Sequence, residues 1–350
     1  MDLSINMEEK QVLFEERKGV AKVILNRPRQ LNCLNHEMVY QILKAIQYYE
    51  KNPHIKLLIL KGNGRAFCSG GDVKAVSTSS EQGHWSYGAT YYRKLLTLSY
   101  IVSTYKKPVV SILDGIVMGG GAGLSMHTPF RIVTEKTIFA MPEGRLGNFP
   151  DCGASHFLSR LAGFFGEYLG LTGAYLDGTE MLACGLATHF VLSKDIGSME
   201  NALDRLTASG IVLLSNISKT ISKFSHIADI KKDSAFTRME VVNKCFSADT
   251  VEQILSSLEK EAEDNEEKWI IEAIKSMKSV SPTSLKLFLR LIREGRNQNL
   301  EKCLVSENRA FCHILRRTIT SDFYKGSRAR LMVKDGKPQM PVYTFNTLNL

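Results

Sequence analysis

The chain has 350 residues, of which 44% are hydrophobic and 23% are charged, with a formal net charge of +9. This composition is typical of a globular protein with one large or two modest domains, and it excludes a chain without a packed core. No uninterrupted apolar run is long enough to cross a bilayer, so no membrane-spanning helix is predicted.

The basic charge is spread along the chain, and Lys and Arg form only short runs such as 106–107 and 316–317. A positive surface of this kind suits an anionic ligand such as a phosphorylated cofactor, and it also leaves nucleic acid open. Because no RNA-binding signature accompanies the charge, we expect a solvated basic surface and no nucleic-acid partner.

The seven cysteines are scattered and include no CxxC pair. Their odd number and spacing predict reduced thiols in a cytosol-like compartment and no metal site. The first ten residues have neither a signal-peptide pattern nor the character of a transit peptide, and the last three are not SKL. We therefore expect a cytoplasmic or peroxisomal protein without a clear targeting signal.

Strand-like runs and helical patterns alternate in the first half of the chain. Residues 20–25, 56–60, 109–113 and 130–134 are typical of strands, and Asn35 can cap a helix that runs to about residue 49. The alternation predicts an α/β layer structure.

From about residue 196 the strand signal fades and helical patterns dominate. Examples are residues 251–260 and 283–293, the second of which follows a Ser-Pro pair that suits a helix start. We therefore predict two regions, a strand-bearing core at 1–195 and a mostly helical region at 196–350.

Two glycine-rich turns follow two of the predicted strands. The first is RAFCSGGD at 65–72 and the second is DGIVMGGGAG at 114–123. Glycine after a strand lets the backbone approach a ligand and turn its N–H groups toward it. Two such turns side by side can aim two N–H donors at one developing oxyanion, which suits chemistry on a carbonyl or thioester.

Each turn alone is more often structural than catalytic. Neither has the GxxxxGK(S/T) pattern of a phosphate loop, and the second lacks the full GxGxxG spacing of a dinucleotide site. Nucleotide binding is therefore not expected. Cys68 in the first turn has no His close in sequence, so we expect a small buried side chain there and not a nucleophile.

A third segment carries two carboxylates among apolar residues, prolines and glycines. Glu143 and Asp151 stand eight residues apart within FAMPEGRLGNFPDCG at 139–153. In a pocket with little water, one carboxylate can act as base or nucleophile while the other orients or protonates the substrate. The alternative is that an acidic residue after proline only starts a helix.

The two glycine turns and the carboxylate segment, in this order, resemble the crotonase (enoyl-CoA hydratase/isomerase) superfamily. The likeness extends from residue 25 to about residue 335. Further segments resemble its 3-hydroxyisobutyryl-CoA hydrolase branch, above all the plant forms: FPDCG at 149–153, LTG at 171–173, GLATHF at 185–190, SPTSLK at 281–286 and SDFY at 321–324.

The resemblance implies an α/β fold in which ββα units form a spiral that carries a helical C-terminal region. It implies a CoA thioester whose carbonyl lies between the backbone N–H groups of Gly71 and Gly120. Glu143 matches the family's catalytic glutamate, and Asp151 matches its partner. The hydratase branch usually has another glutamate at the position of Gly123, and the lack of that acid disfavours water addition to an enoyl-CoA.

The reaction that this branch implies is hydrolysis of a short-chain hydroxyacyl-CoA thioester, with 3-hydroxyisobutyryl-CoA as the expected substrate, in valine catabolism. Glu143 would attack the carbonyl or activate water, and Asp151 would hold the substrate hydroxyl or assist proton transfer. No cofactor is expected beyond the CoA of the substrate. The expected partners are an acyl-CoA and, in a possible homo-oligomer, further copies of the chain, but no membrane.

Several positions depart from the pattern of this branch, and four of them lie in or near the predicted site. Gly144, Arg145 and Asn148 replace the usual Thr, small residue and apolar residue. Leu95 stands where a glutamate usually helps to hold the substrate. Arg145 can form an ion pair that lowers the pKa of Glu143, or it can point to solvent.

Three interpretations therefore stay open. The first is an active short-chain acyl-CoA hydrolase. The second is a related enzyme with a shifted substrate, because Leu95 favours a less polar acyl group. The third is a non-catalytic CoA-binding homologue of the same fold.

Overall fold

The computed structural model describes residues 10–334, with gaps at 209, 211, 228, 265 and 266. The strands are β1 Val12–Arg17, β2 Val20–Leu25, β3 Leu57–Gly62, β4 Ala66–Cys68, β5 Val109–Leu113, β6 Ile116–Met118, β7 Phe130–Val133, β8 Ile138–Ala140, β9 Leu176–Asp177 and β10 His189–Phe190. The helices are α1 His36–Lys51, α2 Val73–Glu81, α3 Trp85–Ser103, α4 Gly120–Ser125, α5 Ala154–Phe157, α6 Phe165–Thr172, α7 Gly178–Ala183, α8 Ile196–Ala208, α9 Leu214–Ser222, α10 Met239–Phe246, α11 Val251–Asp264, α12 Lys268–Lys278, α13 Pro282–Gly295, α14 Leu300–Leu315 and α15 Asp322–Ser327.

Two sheets hold these strands. The larger has the order β1-β2-β3-β5-β7-β10 and the smaller has the order β4-β6-β8-β9. Neighbouring strands are parallel except in the pairs β1–β2 and β8–β9. Strands β3, β5 and β7 of the larger sheet are each followed by a strand of the smaller sheet and then by helix. This repeated order builds a spiral of ββα units, so the predicted fold class is confirmed.

Local sequence signals explain where the long helices begin. The Asn35 side chain accepts a hydrogen bond from Met38 N and caps α1. Ser281 caps α13 in the same way by accepting from Ser284 N, and Pro282 is the first residue of that helix. The predicted long elements are confirmed with ends shifted by a few residues: β2, β3, β5, β7, α1, α11 and α13.

The helices that follow residue 281 pack against the strand-bearing part of the chain. Helix α14 lies on α3, and α13 lies on α5 and α6. One apolar core contains buried residues from both parts. The division into 1–195 and 196–350 stays a prediction, and its last stretch, 335–350, lies outside the described residues. In the described part of the chain, no helix is both long and apolar enough to span a bilayer.

Candidate active site

A small cavity lies where the two glycine turns, the carboxylate segment and α3 meet. Its volume is about 90 Å³, which leaves room for a short acyl group or a few waters. All four predicted site residues, Gly71, Gly120, Glu143 and Asp151, line it. The remaining lining residues are Ser69, Gly70, Val73, Val76, Tyr91, Tyr92, Leu95, Met118, Gly119, Pro142, Leu146, Asn148, Cys152, Phe311 and Phe323.

The two glycine turns meet backbone to backbone at the wall of this cavity. A Cβ placed on Gly120 would lie 3.2 Å from Gly71 N, and one placed on Gly70 would lie 3.6 Å from Gly120 N. Gly120 is the first residue of α4, so its N–H has no acceptor within that helix. Gly119 before it has a φ of +50°, a left-handed conformation that glycine adopts at little cost. The structure thus places two backbone amides side by side.

Glu143 enters the cavity from the short 3-10 turn Glu143–Leu146. Its side chain is buried, and Oε2 has no hydrogen-bond partner among the described residues. A Cβ on Gly119 would lie 2.8 Å from Glu143 Oε1, so the carboxyl stands next to the second glycine turn. Asp151 is also buried and accepts a hydrogen bond from Asn148 Nδ2 at 3.1 Å. Two carboxyls and two amides therefore share one small space.

Burial raises the pKa values of both carboxyls. For Glu143 burial is the largest cause and the charge of Asp151 adds to it, so the pKa lies well above the ordinary value. Burial raises the pKa of Asp151 to about 6. The Cys152 thiol, the Tyr92 hydroxyl and the Asn148 amide oppose this rise, although the Tyr92 hydroxyl makes no hydrogen bond of good geometry. The carboxyls titrate as a pair that can keep one proton near neutral pH.

Leu95 lies directly beside the paired amides. It is buried on α3, and its Cδ2 would lie 3.4 Å from a Cβ on Gly71 and 3.3 Å from a Cβ on Gly120. This position therefore contacts whatever is bound between the two glycine turns. A leucine here makes that part of the wall apolar.

Three more departures from the branch pattern, Gly144, Arg145 and Asn148, have different surroundings. A Cβ on Gly144 would meet Val280 at ordinary contact distance, outside the cavity. The Arg145 guanidinium stacks on the Tyr175 ring at 5.5 Å, and its Nη1 donates to the Tyr175 hydroxyl at 3.1 Å. Arg145 is thus turned toward Tyr175 and makes no ion pair with Glu143. Of these three residues, only Asn148 lines the cavity.

The structure also explains why glycine stands at position 123. A Cβ there would lie 2.5 Å from Cys152 Cβ and 2.8 Å from Cys152 O. Helix α4 and the turn after Asp151 are packed so closely that even alanine would force them apart. A glutamate at this position has no room while the turn keeps its present course.

Cys68 and the lone His127, neither of which we expect to be catalytic, lie away from the cavity lining. Cys68 is buried, and burial raises the pKa of its thiol to about 12, which disfavours a nucleophilic thiolate. His127 lies in a separate cleft with His156 and two arginines, where burial lowers the pKa of its imidazole to about 3. Both observations agree with the absence of a catalytic assignment for these residues.

Sequence reasoning missed the far wall of the cavity. Tyr92, Phe311 and Phe323 form a connected aromatic cluster, with ring centroids 4.1 Å apart for the first pair and 5.6 Å apart for the second. Phe311 lies on α14 and Phe323 on α15, more than 150 residues after Glu143. The only local signal was the Tyr-Tyr pair at 91–92, which precedes the position of Leu95.

Comparison with known proteins agrees with this geometry. The family described as Enoyl-CoA hydratase/isomerase matches residues 20–349. Among curated proteins, 3-hydroxyisobutyryl-CoA hydrolase 1 of Arabidopsis thaliana is 50% identical over 331 residues, which cover 95% of this chain and 87% of the relative. Small ribosomal subunit protein mS47 of the same plant is 38% identical, over 95% of this chain and 80% of the relative.

Solved structures show the same relationship. A carnitinyl-CoA dehydratase from Mycobacterium thermoresistibile superposes with a TM-score of 0.86 at 29% identity, over 97% of this chain and 94% of that chain. An enoyl-CoA hydratase from Rhodobacter sphaeroides 2.4.1 gives a TM-score of 0.85 at 28% identity, over 97% and 94%. The predicted resemblance, including that to the plant hydrolases, is confirmed. From its sequence, its fold and the arrangement of its glycine turns, the chain belongs to the enoyl-CoA hydratase/isomerase family, the crotonases.

Proposed function

We propose that this protein hydrolyses a short-chain hydroxyacyl-CoA thioester, and that 3-hydroxyisobutyryl-CoA is its substrate. The observation that carries the proposal is that Glu143 and the paired amides of Gly71 and Gly120 face one cavity. The similarity to plant 3-hydroxyisobutyryl-CoA hydrolases supports the choice of substrate. The reaction needs only water and the thioester, so we propose no cofactor beyond the CoA of the substrate.

The amide pair would bind the thioester oxygen. Attack on the carbonyl carbon moves negative charge to that oxygen, and two N–H donors already in place stabilise the charge as it forms. One such donor contributes roughly 3–4 kcal/mol in comparable enzymes. The two glycines would therefore lower the barrier for any acyl transfer that is started nearby.

Glu143 would start that transfer. As a carboxylate it either attacks the carbonyl carbon or removes a proton from the attacking water. In the first route the C–S bond breaks, the CoA thiolate leaves and takes up a proton, and water then hydrolyses the acyl-enzyme to the free acid and restores Glu143. Asp151 stands ready to take up or return the proton, because its pKa is raised to about 6. Both routes need Glu143 ionised at the moment of attack and end in free acid and CoA.

The far end of the cavity would select the acyl group. Val76 and Phe311 offer apolar contact, whereas the Tyr92 hydroxyl and Asn148 Oδ1 are buried without a hydrogen-bond partner among the described residues. A substrate hydroxyl can donate to Asn148 Oδ1 and accept from Tyr92. This would remove the cost of leaving two buried polar atoms unpaired. It supports a hydroxyacyl group over a plain acyl group of the same size.

The direct test is CoA release from 3-hydroxyisobutyryl-CoA, measured beside isobutyryl-CoA, which lacks the hydroxyl. We expect rapid release from the first and a lower kcat/KM, by about tenfold or more, for the second. Release from neither, with CoA still bound, would contradict the proposal.

A less polar acyl group is a second candidate substrate, and Leu95 is the observation that favours it. The leucine makes apolar the one position that lies against both glycine turns. If the apolar wall at Leu95 affects substrate selectivity more than the unpaired Tyr92 hydroxyl and Asn148 Oδ1 do, isobutyryl-CoA will be the better of the two substrates. The same pair of assays therefore decides between the candidates.

Replacing Leu95 by glutamine should shift selectivity toward the hydroxylated substrate. We expect the ratio of kcat/KM values, hydroxyisobutyryl over isobutyryl, to rise by about tenfold, because a buried amide is left unpaired beside a plain acyl group. Leu95→Met keeps the wall apolar and should leave the ratio within about twofold of wild type. An unchanged ratio in Leu95→Gln would show that this side chain does not contact the acyl group.

Turnover should decline as the pH is lowered. The decline should begin at a higher pH than it would if the catalytic carboxyl had an ordinary pKa. The pKa values of Glu143 and Asp151 are both raised, and Glu143 must be ionised to react. We expect kcat/KM to decline below an apparent pKa of about 6 or higher, whereas an exposed carboxyl titrates near about 4. A pH–rate profile measures this, and a decline that begins only near pH 4 would contradict the raised values.

A non-catalytic role is the remaining alternative, since one relative bears the name of a ribosomal protein. Two buried carboxyls beside two paired amides argue against it here. CoA binding without release from any acyl-CoA would favour that alternative. We also propose a cytoplasmic or peroxisomal location, which the scattered cysteines support. Fluorescence of the tagged full chain would test it.

A further inference from the structure

A third buried carboxyl lies behind the catalytic pair. Glu307 is on α14, in the C-terminal helical region, and none of its surface is exposed. Its Oε2 accepts from Gly153 N at 2.7 Å, and its Oε1 accepts from Ser155 N at 3.1 Å and from Ser155 Oγ at 2.6 Å. The Gly153 donor lies in the turn that follows Asp151, and the two Ser155 donors lie in the first turn of α5.

The partners of Glu307 are unusual for a buried carboxyl. Glu167 is equally buried, but both of its oxygens accept from Arg296, at 2.7 and 2.8 Å. Among the described residues no Lys or Arg forms an ion pair with Glu307. Burial raises the pKa of Glu307 to about 8, so near neutral pH the carboxyl is largely protonated and needs no cation beside it. Its partners are instead Gly153 N of the catalytic segment and Ser155 at the start of α5.

That backbone has an uncommon conformation. Cys152 has a φ of +57° and Gly153 a φ of +89°, two successive residues in the left-handed region. For Cys152, which is not a glycine, this conformation persists only where its surroundings impose it. Gly123 packs against Cys152 from one side, and Glu307 accepts hydrogen bonds from Gly153 and Ser155, which follow Cys152. The direction of Asp151 depends on this turn.

We propose that Glu307 is a positioning residue, which fixes the left-handed turn at 152–153 and thereby aims Asp151 into the cavity. The inference rests on the proposed function. It joins the helical C-terminal region to the chemistry by a specific contact and not only by packing. Glu307 itself does not line the cavity.

The electrostatic surroundings give the proposal a signature. The titratable groups that face Glu307 are Asp151, Glu143, Tyr92, Cys152 and Cys303, on the catalytic segment, α3 and α14. Burial raises the pKa of Glu307 itself to about 8, and where Glu307 is ionised its charge raises the pKa of Glu143. Removing that charge should therefore move the acid limb of the pH–rate profile to lower pH where the limb lies near or above pH 8. A residue that only stabilises the fold would leave the limb in place.

The test compares Glu307→Gln with Ser155→Ala and with Glu167→Gln as the matched control. Glutamine keeps the size of the side chain, but its amide group donates, so Gly153 or Ser155 loses its acceptor. We expect Glu307→Gln to lower kcat by about ten- to hundredfold with little change in KM, and to shift the acid limb downward where it lies near or above pH 8. Ser155→Ala should lower kcat by about threefold. Glu167→Gln should lower thermal stability only.

The outcomes separate the inference from the function on which it rests. If wild type releases no CoA, the proposed function fails, and hydrogen exchange still tests the turn. The backbone amides of 152–155 should then exchange faster in Glu307→Gln than in wild type, and at the wild-type rate in Glu167→Gln. If wild type is active, the inference is overturned when Glu307→Gln has the same kcat and the same acid limb of the pH–rate profile as wild type. If Glu307→Gln does not fold, Ser155→Ala decides, and wild-type kcat in that variant overturns it.

Discussion

Replacing Glu143 by alanine is expected to abolish CoA release, with kcat reduced by at least about a thousandfold. The Glu143 carboxyl stands next to Gly119 of the second glycine turn, whereas the Asp151 carboxyl is held by Asn148 Nδ2 and is not expected to replace it. Steady-state assays with 3-hydroxyisobutyryl-CoA measure the effect. Near-wild-type turnover in Glu143→Ala would reject the assignment of the catalytic carboxyl.

The loss should come without loss of folding, and Glu143→Gln tests this most cleanly. Because burial raises the folded-state pKa of Glu143 above its unfolded value, ionisation disfavours the folded state. That cost is absent below the unfolded pKa of about 4.3 and grows as the pH rises toward the folded value. The neutral glutamine removes it. We expect a melting temperature above that of wild type at about pH 8 and a smaller difference at about pH 5.

The opposite result would change the interpretation of an inactive variant. If Glu143→Gln melts well below wild type at about pH 8, the side chain holds the fold together and lost activity says little about chemistry. The carboxyl Oε2 has no partner among the described residues, so its replacement breaks no hydrogen bond there. This is why we expect the two effects to separate.

Gly120→Ala is expected to lower kcat/KM by about a hundred- to a thousandfold. The added Cβ would stand 3.2 Å from Gly71 N and 3.3 Å from Leu95 Cδ2, in the space where the thioester oxygen must lie between the amides. The backbone of Gly120 itself is in an ordinary helical conformation at the start of α4. The added methyl group therefore needs Gly71 or Leu95 to shift by a few tenths of an ångström, and it occupies the place of the substrate oxygen.

Gly197→Ala is the matched control for that substitution. Gly197 lies in the first turn of α8, and a Cβ there would meet nothing within 4 Å. We expect full activity and a stability equal to or slightly above that of wild type, because alanine favours helix by about 1 kcal/mol. Equal activity in the Gly120 and Gly197 variants would contradict the proposed role of the amide pair.

The parts of the site that local sequence determines could be predicted. Glycines after strands mark the two turns, and Glu143 and Asp151 lie within one short segment whose pattern resembles a known family. The long strands and helices have clear caps and apolar runs, as at Asn35 and Ser281. The strands of the smaller sheet were missed because β4, β6 and β8 are only three residues long.

Contacts between distant segments could not be predicted. Glu307 lies more than 150 residues after the turn that it holds, and no local pattern distinguishes it from Glu301, the exposed glutamate of α14. The side-chain direction of Arg145 was open for the same reason. Its hydrogen-bond acceptor, the Tyr175 hydroxyl, belongs to a later segment just before β9. Periodicity shows which face of a helix is buried, but it does not show against which segment.

The close packing of Gly123 against Cys152 also limits the evolutionary paths open to this chain. A glutamate at 123, the residue usual in hydratases, collides with the turn that directs Asp151. We expect each of two changes to be harmful without the other. A glutamate at 123 needs a displaced turn at 152–153, and a displaced turn no longer directs Asp151 into the cavity. Their effects are strongly non-additive, as expected for residues in direct contact. Installing a glutamate at 123 therefore requires at least one further change, in the turn that directs Asp151.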